Sequence, residues 1–268
     1  MRARSLLNLA LLLLAAGLIA FIWLGPPSDP PPDLERLSRL EPGAVSRIRI
    51  QRSGAPPLEI RRDGSGWRLA APVERPANPT RVAALLGLVS ARVHEAFRAV
   101  GNDLAAFGLE PPVATIWFDD QEFRFGDTDA LNGWRYVLFG PDVHLITDAF
   151  YHHVIATPPA FIDPAPLAGV KAPVAITDTS DPRAAGDDGR AGAWLDARAT
   201  KVRDMDPGVA WEREILVVPA EGAQPIRFRA AQVEHELLLA RPDWQIQYHF
   251  PTAAGAKLLG TRAGSGGA

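Results

Sequence analysis

Several groups of residues in this chain have types and spacings that chemistry could use. Asp127-Thr128-Asp129-Ala130-Leu131-Asn132-Gly133 opens like a calcium loop, with carboxylates at alternate positions. A true loop carries an oxygen ligand at the fifth position and a glutamate at the twelfth, whereas the fifth here is Leu131 and no glutamate follows in place. The stretch therefore reads as a polar hairpin loop. Asp178, Asp181, Asp187 and Asp188 are clustered, but their irregular spacing among glycines predicts a solvated loop. His144, His152 and His153 are candidates for zinc; adjacent histidines on a helix diverge, and a helical zinc pair favours i, i+4, so surface or capping roles are expected. Glu234-His235-Glu236 flanks an imidazole with carboxylates, yet on a strand His235 faces away from both. Ser65, in Gly64-Ser65-Gly66, belongs to a turn, and no nucleophile elbow, phosphate loop or dinucleotide fingerprint is present. Trp67, Trp117, Trp134 and Trp244 alternate with polar neighbours and read as core anchors, with ligand stacking as the alternative. No catalytic, cofactor-binding or metal residue is assigned, no cofactor is expected, and the chain is read as a non-enzyme.

The elements that would position these residues are short. Leu34, Leu37 and Leu40 recur at helical spacing up to Pro42 and predict a turn or two of helix. Period-two runs follow at Ile48-x-Ile50, Leu58-x-Ile60 and Trp67-x-Leu69, separated by Ser53-Gly54-Ala55-Pro56 and Asp63-Gly64-Ser65-Gly66. They predict a three-strand antiparallel meander with one wet, basic face. Asn78 and Pro79 open a helix with the stripe Val82, Leu85, Leu86, Val89 and Val93, expected to cover the dry face. Glu95 to Val100 suggests another strand, and Asp103 to Phe107 a single helical turn ended by Gly108. A second meander is expected at Val113 to Phe118, Gln121 to Gly126, Trp134 to Phe139 and Val143 to Thr147, then a short helix capped by Asp148. Thr177 to Ala193 lacks apolar periodicity and reads as a mobile loop. Glu214 to Val218, Ile226 to Arg229, Glu236 to Arg241 and Trp244 to Phe250 read as strands, and Ala253 to Leu259 as a last helix. Leu58-x-Ile60-x-Arg62 with Trp67-x-Leu69 is echoed by Leu237-x-Leu239-x-Arg241 with Trp244-x-Ile246, each followed by a helix ending Leu-Leu-Gly, which suggests two related modules.

Composition narrows the class. The 268 residues carry 28 basic and 31 acidic side chains, a net charge of -3, without a basic block to suit nucleic acid. Zero cysteine excludes disulfides, thiolate metal sites and cysteine nucleophiles, while 25 prolines and 23 glycines predict many turns. Leu6 to Leu24 is an apolar run of about 19 residues, about 28 Å as a helix, preceded by Arg2 and Arg4. It predicts a transmembrane anchor with the N-terminus in the cytoplasm, the body in the periplasm and the lipid bilayer as a partner. A cleaved signal peptide is the alternative, with Ala15 and Gly17 as small residues around the cut. Pro26 to Pro32 reads as a stiff stalk.

The basic start and anchor, Gly66-Trp67-Arg68-Leu69-x-x-Pro72, the Leu85-Leu86 helix, Phe107-Gly108-Leu109-Glu110-Pro111-Pro112, Phe125-Gly126 and Arg135-Tyr136-Val137 together resemble the bacterial family named domain of unknown function 4340. The resemblance runs over residues 1 to 165 and implies a single-pass extracytoplasmic protein whose relatives are linked to gliding-type ABC export machinery. It assigns no catalytic residue. The expected fold class is thus α+β: a transmembrane helix (1–25), a proline-rich spacer and short helix (26–42), a first module of antiparallel meanders covered by short helices (43–165), a second, shorter module (166–259) and a disordered tail (260–268). The expected function is a membrane-anchored accessory protein contacting an envelope protein, with a transport assembly as the setting the resemblance implies. The alternatives are a module binding a lipid or other small envelope ligand between sheet and helix, and a hydrolase using Asp127, Asp129 and His144.

Overall fold

In the computed structural model, residues 11–15, 17, 34–64, 66–170, 173–180, 190–219 and 224–260 are described. Period-two sequence becomes antiparallel sheet throughout. The first sheet is built from β1 (Arg47–Arg52), β2 (Leu58–Asp63), β3 (Gly66–Ala71) and β4 (Arg75–Pro76), followed by helix α1 (Pro79–Gly87). It continues with β5 (Val93–Arg98), β6 (Ala114–Phe118), β7 (Gln121–Thr128), β8 (Arg135–Phe139) and β9 (Asp142–Ile146), and helix α2 (Tyr151–Val154). The nine strands lie in the order β4-β3-β2-β1-β6-β7-β8-β9-β5. Two meanders are therefore laid edge to edge along the β1–β6 pair, where Ile48 faces Phe118 and Ile50 faces Ile116.

Helix α1 joins the two opposite edges of this sheet. Nine helical residues, a 3-10 turn at Leu88–Ser90 and the four residues around them reach at most about 33 Å. A flat nine-stranded sheet is about 38 Å wide. The sheet must curl around the helix, and Val82, Leu85, Leu88 and Val89 are accordingly at most 1% exposed. Asn78 caps α1 as its sequence predicts, its Oδ1 accepting from Thr80 N at 3.1 Å and Arg81 N at 3.2 Å.

The second sheet comprises β10 (Pro173–Asp178), β11 (Lys201–Asp204), β12 (Arg213–Pro219), β13 (Ile226–Val233), β14 (Glu236–Arg241) and β15 (Ile246–Pro251), in the order β10-β12-β13-β14-β15-β11. Helix α3 (Arg190–Asp196) precedes β11, and α4 (Thr252–Leu259) follows β15. Trp194 of α3 is fully buried, edge-on to Phe228, and donates its indole N–H to Leu258 O of α4 at 3.0 Å. The residues after Leu34 form one compact unit, and a continuous core runs from Ile48 and Phe123 to Tyr248 and Phe250.

Two tight backbone approaches explain motifs visible in the sequence. Gly126 lies so close to Phe107 that a Cβ would collide with its carbonyl oxygen, and Gly108, at φ 65°, would bring a Cβ to 2.6 Å from the Asp127 carboxyl carbon. The glycines of Phe107-Gly108-Leu109 and Phe125-Gly126 are there because two chain segments touch.

The α+β character with antiparallel sheets and short helices holds. The transmembrane helix does not: no helix among the described residues is long and apolar enough to cross a membrane. Residues up to Leu34 form a unit of their own, in which 11–15 and 17 are helical and Leu11 to Leu14 are exposed; the rest of Leu6 to Leu24, and Pro26 to Pro32, lie outside the described residues. The helix expected over Leu34 to Leu40 is also replaced. Leu37 N donates to Ala91 O at 2.8 Å and Ser38 N to Val89 O at 3.1 Å, so pairing with a distant segment overrides local spacing. The α1 stripe breaks after Gly87, Val89 falling in a 3-10 turn and Val93 in β5. Asp148 lies in a 3-10 turn and its carboxylate takes the Arg135 guanidinium instead of capping. Of the loop expected over Thr177 to Ala193, Thr177 belongs to β10 and Arg190 to Ala193 to α3, and residues 181–189, like the tail at 261–268, lie outside the described set.

Candidate functional site: a polar cleft on the second sheet

Along β15, Ile246, Tyr248 and Phe250 point inward and are at most 3% exposed. Gln247 and His249 alternate with them and must point outward, yet they are only 4% and 9% exposed. The chain between β11 and β12 covers them. β11 is the edge strand beside β15, while β12 lies beyond β14 and β13, so residues 205–212 must cross the outer face as a strap. Met205 N donates to Gln245 O at 2.9 Å, Asp206 N to Gln247 Oε1 at 2.8 Å, and Glu212 N to Ala230 O at 3.0 Å. Beneath it Leu238, Ala231 and Ala240 are buried, which makes β14 apolar on both faces.

Between the strap and the β13–β14 hairpin lies a cleft of about 600 Å³. Its floor is Leu238, Gln247 and His249; Arg203, Asp204, Asp206 and Val209 line one wall, Val233, Glu234, His235 and Glu236 the other. A polar chain runs along the floor. Glu236 Oε2 lies 2.8 Å from His249 Nδ1, and His249 Nε2 lies 3.1 Å from Gln247 Nε2. Because Gln247 Oε1 accepts from Asp206 N–H, its amide nitrogen faces His249 and can only donate. Nε2 is thus the acceptor, and the ring proton sits on Nδ1, donated to Glu236. That hydrogen bond, with the charges of Lys201 and Arg203 behind it, holds the Glu236 carboxyl below the usual carboxylate range. Glu234, in the tight hairpin turn, takes a left-handed backbone at φ 49°, uncommon for a side chain of its kind.

The residues singled out from the sequence fall elsewhere. Asp129 Oδ2 accepts from Asn132 N at 2.7 Å and Nδ2 at 3.1 Å, a self-contained turn with Leu131 fully in solvent. Asp127 packs against Gly108. Asp178 is buried, accepting from Ser180 N at 2.9 Å and from Arg213 Nη1 at 3.4 Å; Asp181, Asp187, Asp188 and Ser65 lie outside the described residues. His144 sits on β9 opposite Val137, and burial lowers its pKa. His152 and His153 are on α2 with rings 3.8 Å apart, and His153 Nδ1 accepts from Arg81 at 2.9 Å. Burial, with His152 and Arg81 adding to it, lowers the His153 pKa to about 4. Among the described residues, no three His, Asp or Glu side chains are placed to hold a metal. The four tryptophans named from the sequence are half-buried, Trp67 and Trp244 packing against the core from its rim: Arg49 lies over Trp117, Arg62 over Trp67 and Arg241 over Trp244, and His94 stacks on Trp134 at 4.3 Å. Glu236 does orient an imidazole, that of His249 across the hairpin and not its neighbour His235. The missed signal was the polar pair Gln247 and His249 beside Leu237-Leu238-Leu239-Ala240, an unbroken apolar run that marks a strand covered on both faces.

Among the described residues, side chains such as Ile50, Ile60, Val82 and Phe118, all without exposure, occupy the space between sheet and helix α1 that a lipid or other envelope ligand would need. Comparison with known proteins found no matching family model, no matching curated protein and no matching solved structure. The resemblance to the domain of unknown function 4340 family is therefore not upheld, and the anchored envelope accessory role, the bilayer and envelope partners and the single-pass placement lose their support with it.

Proposed function

We propose that this chain is a non-catalytic binding module whose cleft on the second sheet takes a small organic cation. The observation that carries the reading is the lining. Three acidic residues, Asp206, Glu234 and Glu236, line the cleft with Arg203, Lys201 reaching Glu236 at 4.0 Å, around Val209, Val233 and Leu238, while Asp204, in register with the inward Ile246, turns its side chain to the other face. An alkylamine or guanidine with a short hydrocarbon body matches that mixture, its charge meeting the carboxylates and its carbons the floor. The imidazole argues against catalysis. Both His249 nitrogens are held by protein partners, Nδ1 by Glu236 and Nε2 by Gln247, so neither is turned towards a nucleophile in the cleft.

Titration of the labelled full chain at pH 8 with putrescine, agmatine, citrate and phosphate, followed by amide NMR, tests this. Saturable shifts at Glu234, Glu236 and Asp206 with the two cations alone are expected. Shifts there with the anions, or none with millimolar cation, would remove the cationic reading. Ester or phosphoester turnover that disappears in His249→Asn would overturn the non-catalytic one.

A further inference from the structure

The strap is fastened at its two ends by backbone and in between by a side chain. Met205 N to Gln245 O and Glu212 N to Ala230 O are main-chain bonds, whereas Asp206 N hangs on the Gln247 amide oxygen. The Asp206 carboxylate takes Gly208 N at 2.8 Å, so this short turn moves as one piece. The Gln247 tether holds only while the His249 ring is neutral. A proton on Nε2 would set an N–H against the Gln247 NH2, two donors about 3.1 Å apart. Turning the Gln247 amide over gives the ring an acceptor, but then aims NH2 at Asp206 N–H. One donor must be released, and Asp206, at the cleft, is the one whose N–H can turn to water, because Gln247 and His249 are buried.

We infer that protonation of His249 unlatches the 205–212 strap and widens the cleft, a regulation of the binding site that rests on the proposed function for its purpose. The groups facing the ring from each neighbouring element set the balance. Glu236 on β14 stabilises the imidazolium through a charge-assisted bond. Asp206 and Glu234 around the cleft act in the same direction. Lys201 and Arg203 on β11, in register with His249 and Gln247, oppose it, as does any charge on His235 in the hairpin turn.

The test needs no ligand. Hydrogen exchange of the Asp206 amide in the full chain, corrected for intrinsic rate, is compared at pH 8 and pH 5, the range in which imidazoles titrate. Protection is expected to fall about fivefold or more at pH 5, the loss of roughly one hydrogen bond. In Gln247→Glu the carboxylate accepts from both Asp206 N–H and an imidazolium, so protection should change less than twofold. His249→Asn, with no ring to titrate, should also be flat and serves if the first variant does not fold. Unchanged protection in the wild-type chain overturns the latch, as does an undiminished fall in either variant, or nitrogen shifts placing the neutral ring proton on Nε2. Cation binding at pH 8 without a latch would sink this inference alone; a working latch with no cation binding would sink only the function.

Discussion

Gly126 and Phe107 meet backbone to backbone: the Cα of one lies against the carbonyl oxygen of the other, leaving no volume for a side chain. This contact pins the 3-10 turn at Leu104–Phe107 against β7, and with it Phe107 against Phe97 and Tyr136.

Gly126→Ala therefore forces β7 and the turn apart. A loss of about 2–3 kcal/mol is expected, at the upper end of overpacking costs because the obstacle is main chain. Urea unfolding measures it; a change under about 0.5 kcal/mol would mean the turn yields freely.

Trp194→Phe keeps an aromatic ring beside Phe228 but removes the indole donor to Leu258 O. The lost volume and the orphaned carbonyl together predict about 2–3 kcal/mol of destabilisation. Midpoint shifts in urea at constant slope would show it.

Asn78→Ala strips the acceptor from Thr80 N and Arg81 N at the start of α1. About 1 kcal/mol is expected, and Asn78→Asp should recover most of it. Equal stability of Asn78→Ala and the wild type would show that water replaces the cap at no cost.

His153 gives an acid sensitivity of known sign. Its folded pKa is lowered to about 4 from the usual 6.5, so the unfolded chain binds the proton first. Its full contribution is present above pH 6.5, is lost progressively as pH falls towards 4, and changes no further below that. His153→Phe should flatten this part of the stability profile between pH 7 and pH 4. Solvent at the half-buried ring keeps the effect small.

Much of the architecture is legible in sequence where one face of a strand is wet. β7 follows from Phe123 and Phe125 alternating with Glu122 and Arg124, while Gly108 marks the end of the Leu104–Phe107 turn and Asn78 the start of α1, because each satisfies a local backbone need. β11 is not legible because Lys201-Val202-Arg203-Asp204 has a single apolar residue, and α3 is not because Trp194 is its one buried apolar side chain, the other buried residue being Arg190. Leu34, Leu37 and Leu40 misled because a three-residue spacing says nothing about a partner far along the chain. The cleft was hidden for the same reason: the Glu236 and His249 side chains meet through the register of a hairpin, and the strap over Gln247 is a property of strand order.

The β1–β6 seam has a mechanical meaning. Apart from β5, which reaches β9 across the whole second meander, the strands find their neighbours through short turns, whereas Ile48 must find Phe118 after β2 to β5 and α1 have left the line between them. Closing that loop costs more chain entropy than any hairpin, so the seam is expected to form late in folding. Mutations along it, such as Ile50→Val or Ile116→Val, should slow folding only weakly and speed unfolding, a split that a chevron plot reads directly. The first sheet is in this sense a hinged pair of panels, with α1 as the rod that keeps them closed.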